Sequence, residues 1–102
     1  MPKVVVLFNL KQGVKAEDYE QWARNSDIPT VRALASVDHF STHRAIRLLV
    51  GDEQPPYRYV EIIDINDMGQ FAEDLATPVM QQLAAAFQEF ADRPSFILTE
   101  AL

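Results

Sequence analysis

The chain has 102 residues, of which 48% are hydrophobic and none is cysteine. Such a length supports one core and hence a single domain over residues 1–102, and the missing cysteines exclude disulfides, thiolate metal sites and cysteine nucleophiles. The formal charge of −6, with nine scattered basic residues, argues against a nucleic-acid or anionic-membrane partner, since both need clustered Lys and Arg.

Met1-Pro2-Lys3 leads into a short apolar run, VVVLFNL, that has neither the length of a spanning helix nor a signal-peptide cleavage pattern. A cytoplasmic protein is expected. Lys3 to Leu10 is rich in β-branched residues and predicts a central strand, apolar on both faces and closed by a turn at Gly13. A helix from about Ala16 to Asn25 follows, with Tyr19, Trp22 and Ala23 on its inner face while Glu20, Gln21 and Arg24 point away. It runs into the corner Asp27-Ile28-Pro29, where Pro29 suits an early helical position and Ser26 or Asp27 reads as a cap for a short turn ending near Leu34. Asp27 is therefore either a cap or a carboxylate at the mouth of a cleft beneath a helix–corner–helix segment.

Ser36 to Val50 reads as extended, Gly51 to Pro56 as a loop, and Tyr57 to Ile65 as a strand paired with the preceding segment. Even closure of that hairpin sets Arg47 near Tyr59 and Ala45 near Glu61, so that Arg47 and Glu61 become diagonal neighbours. Asn66 or Asp67 caps a helix over about Met68 to Ala76, with Phe71 and Leu75 inside. Thr77-Pro78 opens another, Val79 to Ala91, with Val79, Met80, Leu83, Phe87 and Phe90 as its core stripe. Pro94 stops it, and Ser95 to Leu102 forms the last strand. The order βαββαβ predicts an α+β, ferredoxin-like fold: a four-stranded antiparallel sheet with helices on one face. The sheet's other face is too apolar for a small monomer, which predicts a homodimer built as a dimeric α+β barrel.

Candidate chemistry lies in polar residues on elements that should be buried. Glu61, mid-strand between Val60 and Ile62, must be paired, solvated or protonated. Tyr57 and Tyr59 can donate to a substrate oxygen or simply form an aromatic ladder. His39 and His43 share one strand face too far apart to chelate one metal, and each is either an acid–base candidate or a structural residue. No metal-binding, phosphate-cradling or nucleophile-elbow motif occurs. What remains is cofactor-free acid–base chemistry or plain ligand binding, in a pocket of Asn9, Trp22, Asp27, Tyr59 and Glu61 with a histidine nearby. The parity of the strand leaves open whether Glu61 faces that cleft or the dimer interface.

The segments VVVLFNLKQGV, YEQWARNSDIPTVRAL, SVDHFSTHR and YRYVEIIDI resemble the REDY-like proteins, including the small HapK-type members, of the dimeric α+β barrel superfamily. The resemblance spans nearly the whole chain. It implies a part in the biosynthesis of prodigiosin-type tripyrrole pigments, as a tailoring or condensation step on a pyrrole or bipyrrole aldehyde intermediate. The superfamily also holds cofactor-free monooxygenases, polyketide cyclases and EthD-type proteins with a His-x-Pro motif at the corner where this chain has Asp27-Ile28-Pro29. The histidine's role does not carry over to Asp27, though a carboxylate there can bind a pyrrole N–H or act as a base. Asp27, Glu61, His39 and His43 are thus the catalytic candidates. Asn9, Trp22, Tyr57, Tyr59 and Arg47 are the candidates for binding a flat heteroaromatic molecule, with no metal or cofactor. The alternatives are a carrier that shields a reactive pyrrole, or a cofactor-free oxygenase.

Overall fold

The computed structural model describes residues 2–102. Strand β1 (Lys3–Leu10) lies between β3 (Tyr59–Ile65) and the edge strand β4 (Ala91–Thr99), and β2 (Val37–Arg44) pairs with the far side of β3. All three pairings are antiparallel, giving the order β2-β3-β1-β4 of the ferredoxin-like plan. The central position of β1 explains its apolar sequence on both faces. Val6 and Phe8 are buried beneath the helices, while Val5 and Leu7 face the opposite side.

Helix α1 (Ala16–Trp22) passes into a π-helical turn, Ala23–Asp27, and then into α2 (Ile28–Arg32). Helices α3 (Met68–Leu75) and α4 (Pro78–Phe90) start at Asp67 and Thr77, whose side chains accept from the Gln70 and Met80 amides. Both caps match the sequence expectation. Asp74 ties α3 to the start of β2, since its carboxylate accepts from the Ser36 hydroxyl at 2.6 Å. Two core clusters result. One gathers Phe8, Tyr19, Tyr59 and Phe87, with the Phe8 and Tyr59 rings stacked 5.4 Å apart. The other gathers Val31, Phe40, Ile63, Ile65, Phe71 and Met80.

Several boundaries differ from the sequence reading. β2 ends at Arg44, and residues 45–58 form one long connection. The register pairs Arg44 with Tyr59 and Thr42 with Glu61, so Arg47 is neither near Tyr59 nor diagonal to Glu61. Asn9 supplies part of the reason: its amide donates to the Pro56 carbonyl at 3.1 Å and its oxygen accepts from the Arg58 N–H at 2.9 Å. Pro55 and Pro56, which lack the N–H a ladder needs, cannot extend the hairpin. Arg47 is exposed and donates to the Leu48 carbonyl. Pro94 does not separate helix from strand either, because α4 ends at Phe90 and β4 starts at Ala91. Proline is accommodated on this edge strand at a bulge opposite β1, where Arg93 takes a positive φ of 44°. Val79, expected in the stripe of α4, is exposed, and Leu75 of α3 is half-exposed. No helix among the described residues is long and apolar enough to cross a membrane.

Candidate functional site

Tyr19, Ala23 and Asp27 are spaced four apart along the first helical segment, and all three are buried. In an unbroken α-helix the third of them would drift roughly 80° around the axis from the first. The π turn takes up that drift. Its wider backbone bond, Ile28 N–H to Ala23 carbonyl, adds a residue to one turn and keeps Asp27 on the inner face. Local sequence favours the widening, because Asn25, Ser26 and Asp27 are weak helix formers and Pro29 has no N–H to offer the carbonyl four residues back. Asp27 itself is helical (φ −62°, ψ −56°) and makes no cap hydrogen bond. The capping role is therefore corrected: Asp27 is a buried carboxyl turned toward the sheet.

Beneath it lies Glu61. β3 directs Tyr59, Glu61, Ile63 and Ile65 toward the helices, so the parity left open by the sequence is settled in favour of the cleft. Asp27 and Glu61 are each 5% exposed, and their carboxyl groups lie within hydrogen-bonding reach of one another. The Tyr19 hydroxyl donates to Glu61 Oε2 at 3.4 Å. Burial, then the charge of Asp27 and the hydrogen bond to it, push the Glu61 carboxyl far above its ordinary range, while Tyr19 pulls weakly the other way. Burial also raises Asp27, less strongly. Neighbouring buried carboxyls disfavour a second charge, so an ionised Asp27 holds the proton on Glu61 more tightly.

On one side of the pair a cleft of about 440 Å³ opens between sheet and helices. Phe40, Phe71, Phe87 and Phe96 contribute to its walls, and so do Asp27 and Glu61. On the other side is a polar cleft of about 210 Å³, lined by Glu20, Thr42, Arg44 and Tyr59 among others. Asp27 Oδ2 and Thr42 Oγ1 are buried side-chain oxygens with no hydrogen-bond partner among the described residues. No group of three or more His, Asp or Glu residues among those described can hold a metal.

The structure thus brings Asp27 and Glu61 together and separates the other candidates from them. Tyr59 lies one position along the same sheet face, but its hydroxyl donates to Glu20 at 2.7 Å in the polar cleft. Trp22 packs on Phe90, with ring centres 5.2 Å apart, and supports Tyr19 from behind. Asn9 and Tyr57 line a separate small pocket under the long connection with Arg58, and Asn9 is committed to holding that connection. His39 and His43 alternate with Phe40 and Thr42 along β2 and lie exposed on the opposite sheet face, with His43 Nε2 2.9 Å from the Ser41 hydroxyl. Neither histidine reaches the acid pair. Glu20, read as pointing away, instead accepts from Tyr59 and from Arg44 at 2.6 Å. Tyr19 and Thr42 are site residues that the sequence reading did not single out. The spacing Tyr19–Ala23–Asp27 was a usable sign for the first, whereas Thr42 depends on the β2–β3 register.

A ferredoxin-like sheet with a buried acid pair lining an apolar cleft places the chain among small α+β proteins of a widely used architecture. Within that architecture, the chain belongs to the family of the REDY-like protein HapK, whose sequence model matches residues 2–102. It is 31% identical to HapK from Hahella chejuensis, covering 100% of this chain and 93% of that one with a TM-score of 0.81. The fold is also similar to a dimeric ferredoxin-like protein of unknown function from Thermobifida fusca, at 15% identity, 98% and 90% coverage, and a TM-score of 0.74. A mutant form of SnoaB, a cofactor-independent oxygenase from Streptomyces nogalater, matches at 20% identity, 98% and 91% coverage, and a TM-score of 0.71. No curated protein sequence matches the chain.

Proposed function

We propose that this protein is a homodimeric, cofactor-free acid–base catalyst of prodigiosin-type pigment biosynthesis, acting on a pyrrole or bipyrrole intermediate held in the 440 Å³ cleft. The single observation that carries the reading is the Asp27–Glu61 pair, two buried neighbouring carboxyls that line one largely apolar cleft. With the Glu61 carboxyl raised more than that of Asp27, such a pair can supply an acid and a base at once. Glu61 delivers its proton to a carbonyl oxygen as a nucleophilic carbon bonds to the carbonyl carbon, and Asp27 accepts the proton released by that nucleophile. The phenylalanine walls suit a flat ring system.

Membership of the HapK family supports the pigment link. Homodimerisation is supported by the sheet face opposite the helices, where Val5, Leu7, Val60 and Ile62 are only part-covered and Ile97 is 43% exposed. Sedimentation is expected to read twice the 11.6 kDa chain mass, and a monomer at micromolar concentration sinks that element of the proposal.

Asp27→Asn tests the chemistry. Asparagine still accepts an N–H but is no base, so turnover of a pyrrole aldehyde is expected to fall about 10²-fold or more while binding changes little. Unchanged product formation in D27N removes catalysis by this pair. The carrier alternative would then stand, since the same cleft binds a pyrrole without needing a base.

A further inference from the structure

The charge balance of the large cleft restricts what occupies it. Among the described residues its only acidic or basic lining groups are Asp27 and Glu61, and no Lys, Arg or His contributes to its walls. Arg24 and Arg44 line the polar cleft on the other side of the pair, where both are bound to Glu20. Facing the pair are the Tyr19 hydroxyl from α1 and Thr42 from β2, while α4 presents only uncharged groups such as Gln81 and Gln88. Two neighbouring carboxyls that share a proton therefore leave about one negative charge on a wall that is otherwise uncharged. An anion placed there would double the buried charge, while a cation with N–H donors would offset it.

The phenylalanines of the walls add a second, independent preference. Aromatic ring faces attract cations, most strongly where water is excluded. We infer that the acid pair and the phenylalanine walls together form a receptor for a flat, delocalised monocation with N–H donors, the state carried by a protonated nitrogen heterocycle or an iminium species. This inference rests on the reading of the cleft as the functional site and names the charge of what it holds. In a carbonyl condensation such a cation is the species left when the protonated hydroxyl departs as water from a ring-nitrogen-bearing adduct, with the ring nitrogen supplying the electron pair. The cleft then favours that step by stabilising the charge that develops.

Calorimetry on the wild-type chain with benzamidinium, benzamide and benzoate tests this without any turnover. The three share shape and differ in charge. Benzamidinium is expected to bind about 10-fold tighter than benzamide or better, and benzoate weaker than both. Benzamidinium affinity should rise from mildly acidic to mildly alkaline pH as the pair gives up its proton, while benzamide affinity stays level. The double variant D27N/E61Q, which keeps shape and removes charge, is expected to abolish the preference. Equal affinity for the three probes, including no binding by any, overturns the inference. So does a preference for benzamidinium that survives in the double variant, because the cation would then sit on surface carboxylates. If the cation preference holds but pyrrole aldehydes are not turned over, the catalytic proposal fails while the receptor stands.

Discussion

Two glutamates of this small fold meet a tyrosine hydroxyl, and they end in opposite states. Glu20 on α1 accepts from Tyr59 at 2.7 Å and from Arg44 at 2.6 Å at the rim of the polar cleft. The Tyr59 hydroxyl first, then the Arg44 guanidinium, hold its carboxyl below the ordinary glutamate range. Glu61 on β3 accepts from Tyr19 at 3.4 Å and faces a second carboxyl where Glu20 faces a guanidinium. Its proton is held far more tightly. The tyrosines themselves are in contact, with ring centres 4.8 Å apart, so one aromatic pair separates a solvated ion pair from a buried acid pair. Burial and the sign of the neighbouring charge decide protonation at Glu61, and the hydrogen bond only adjusts it.

The largest expected effect comes from removing the buried acid. Glu61 and Asp27 bind protons more tightly in the folded chain than in the unfolded chain. Between the ordinary carboxylate range and the raised folded values, the folded state thus holds protons the unfolded state has released. Stability must fall as pH rises through that window, by up to about 1.4 kcal/mol per pH unit for each group that is titrating. Glu61→Gln should flatten much of this slope, matching wild type in the ordinary carboxylate range and exceeding it by roughly a few kcal/mol in the alkaline range. Urea unfolding across pH measures it, and parallel pH profiles for E61Q and wild type would mean that Glu61 is not the buried proton holder.

A smaller effect separates the two tyrosines. Tyr59→Phe deletes a short bond to a charged acceptor and is expected to cost about 1–2 kcal/mol at neutral pH, with Glu20 titrating higher than before. Tyr19→Phe deletes a long bond to a largely protonated group and should cost under about 1 kcal/mol. Its clearer mark is a further rise of the Glu61 titration, because the Tyr19 hydrogen bond favours the ionised form. Equal costs for Y59F and Y19F would show that the two glutamates do not differ as described.

Much of the fold was legible in the chain. The two-sided apolar run at Val4–Leu7 marked a central strand, and Asp67 and Thr77-Pro78 marked two helix starts. The alternation of Tyr59, Glu61, Ile63 and Ile65 marked a strand with one buried face. Glu61 stood out as a carboxylate among residues that must be buried, and Asp27 as the polar residue of the corner before Pro29, readable as a cap or as a carboxylate at the mouth of a cleft. Arg47 did not follow, because strand pairing depends on where a loop closes, and Asn9, distant in sequence, helps fix that closure. His39 and His43 were correctly placed on a common strand face, yet which face is a property of the β2–β3 register.

By itself the sequence determined the order βαββαβ and the acidic cysteine-free character, since each follows from local pattern and composition, and it offered Asp27 and Glu61 as two candidates among several. Only the tertiary structure decided that these carboxyls meet. Their contact requires the π turn at Ala23–Asp27 to hold one inward and the parity of β3 to hold the other inward. It also requires the helices to lie over the sheet at a spacing that excludes water but leaves a cleft. Those conditions depend on contacts between residues far apart in the chain, and no local window contains them.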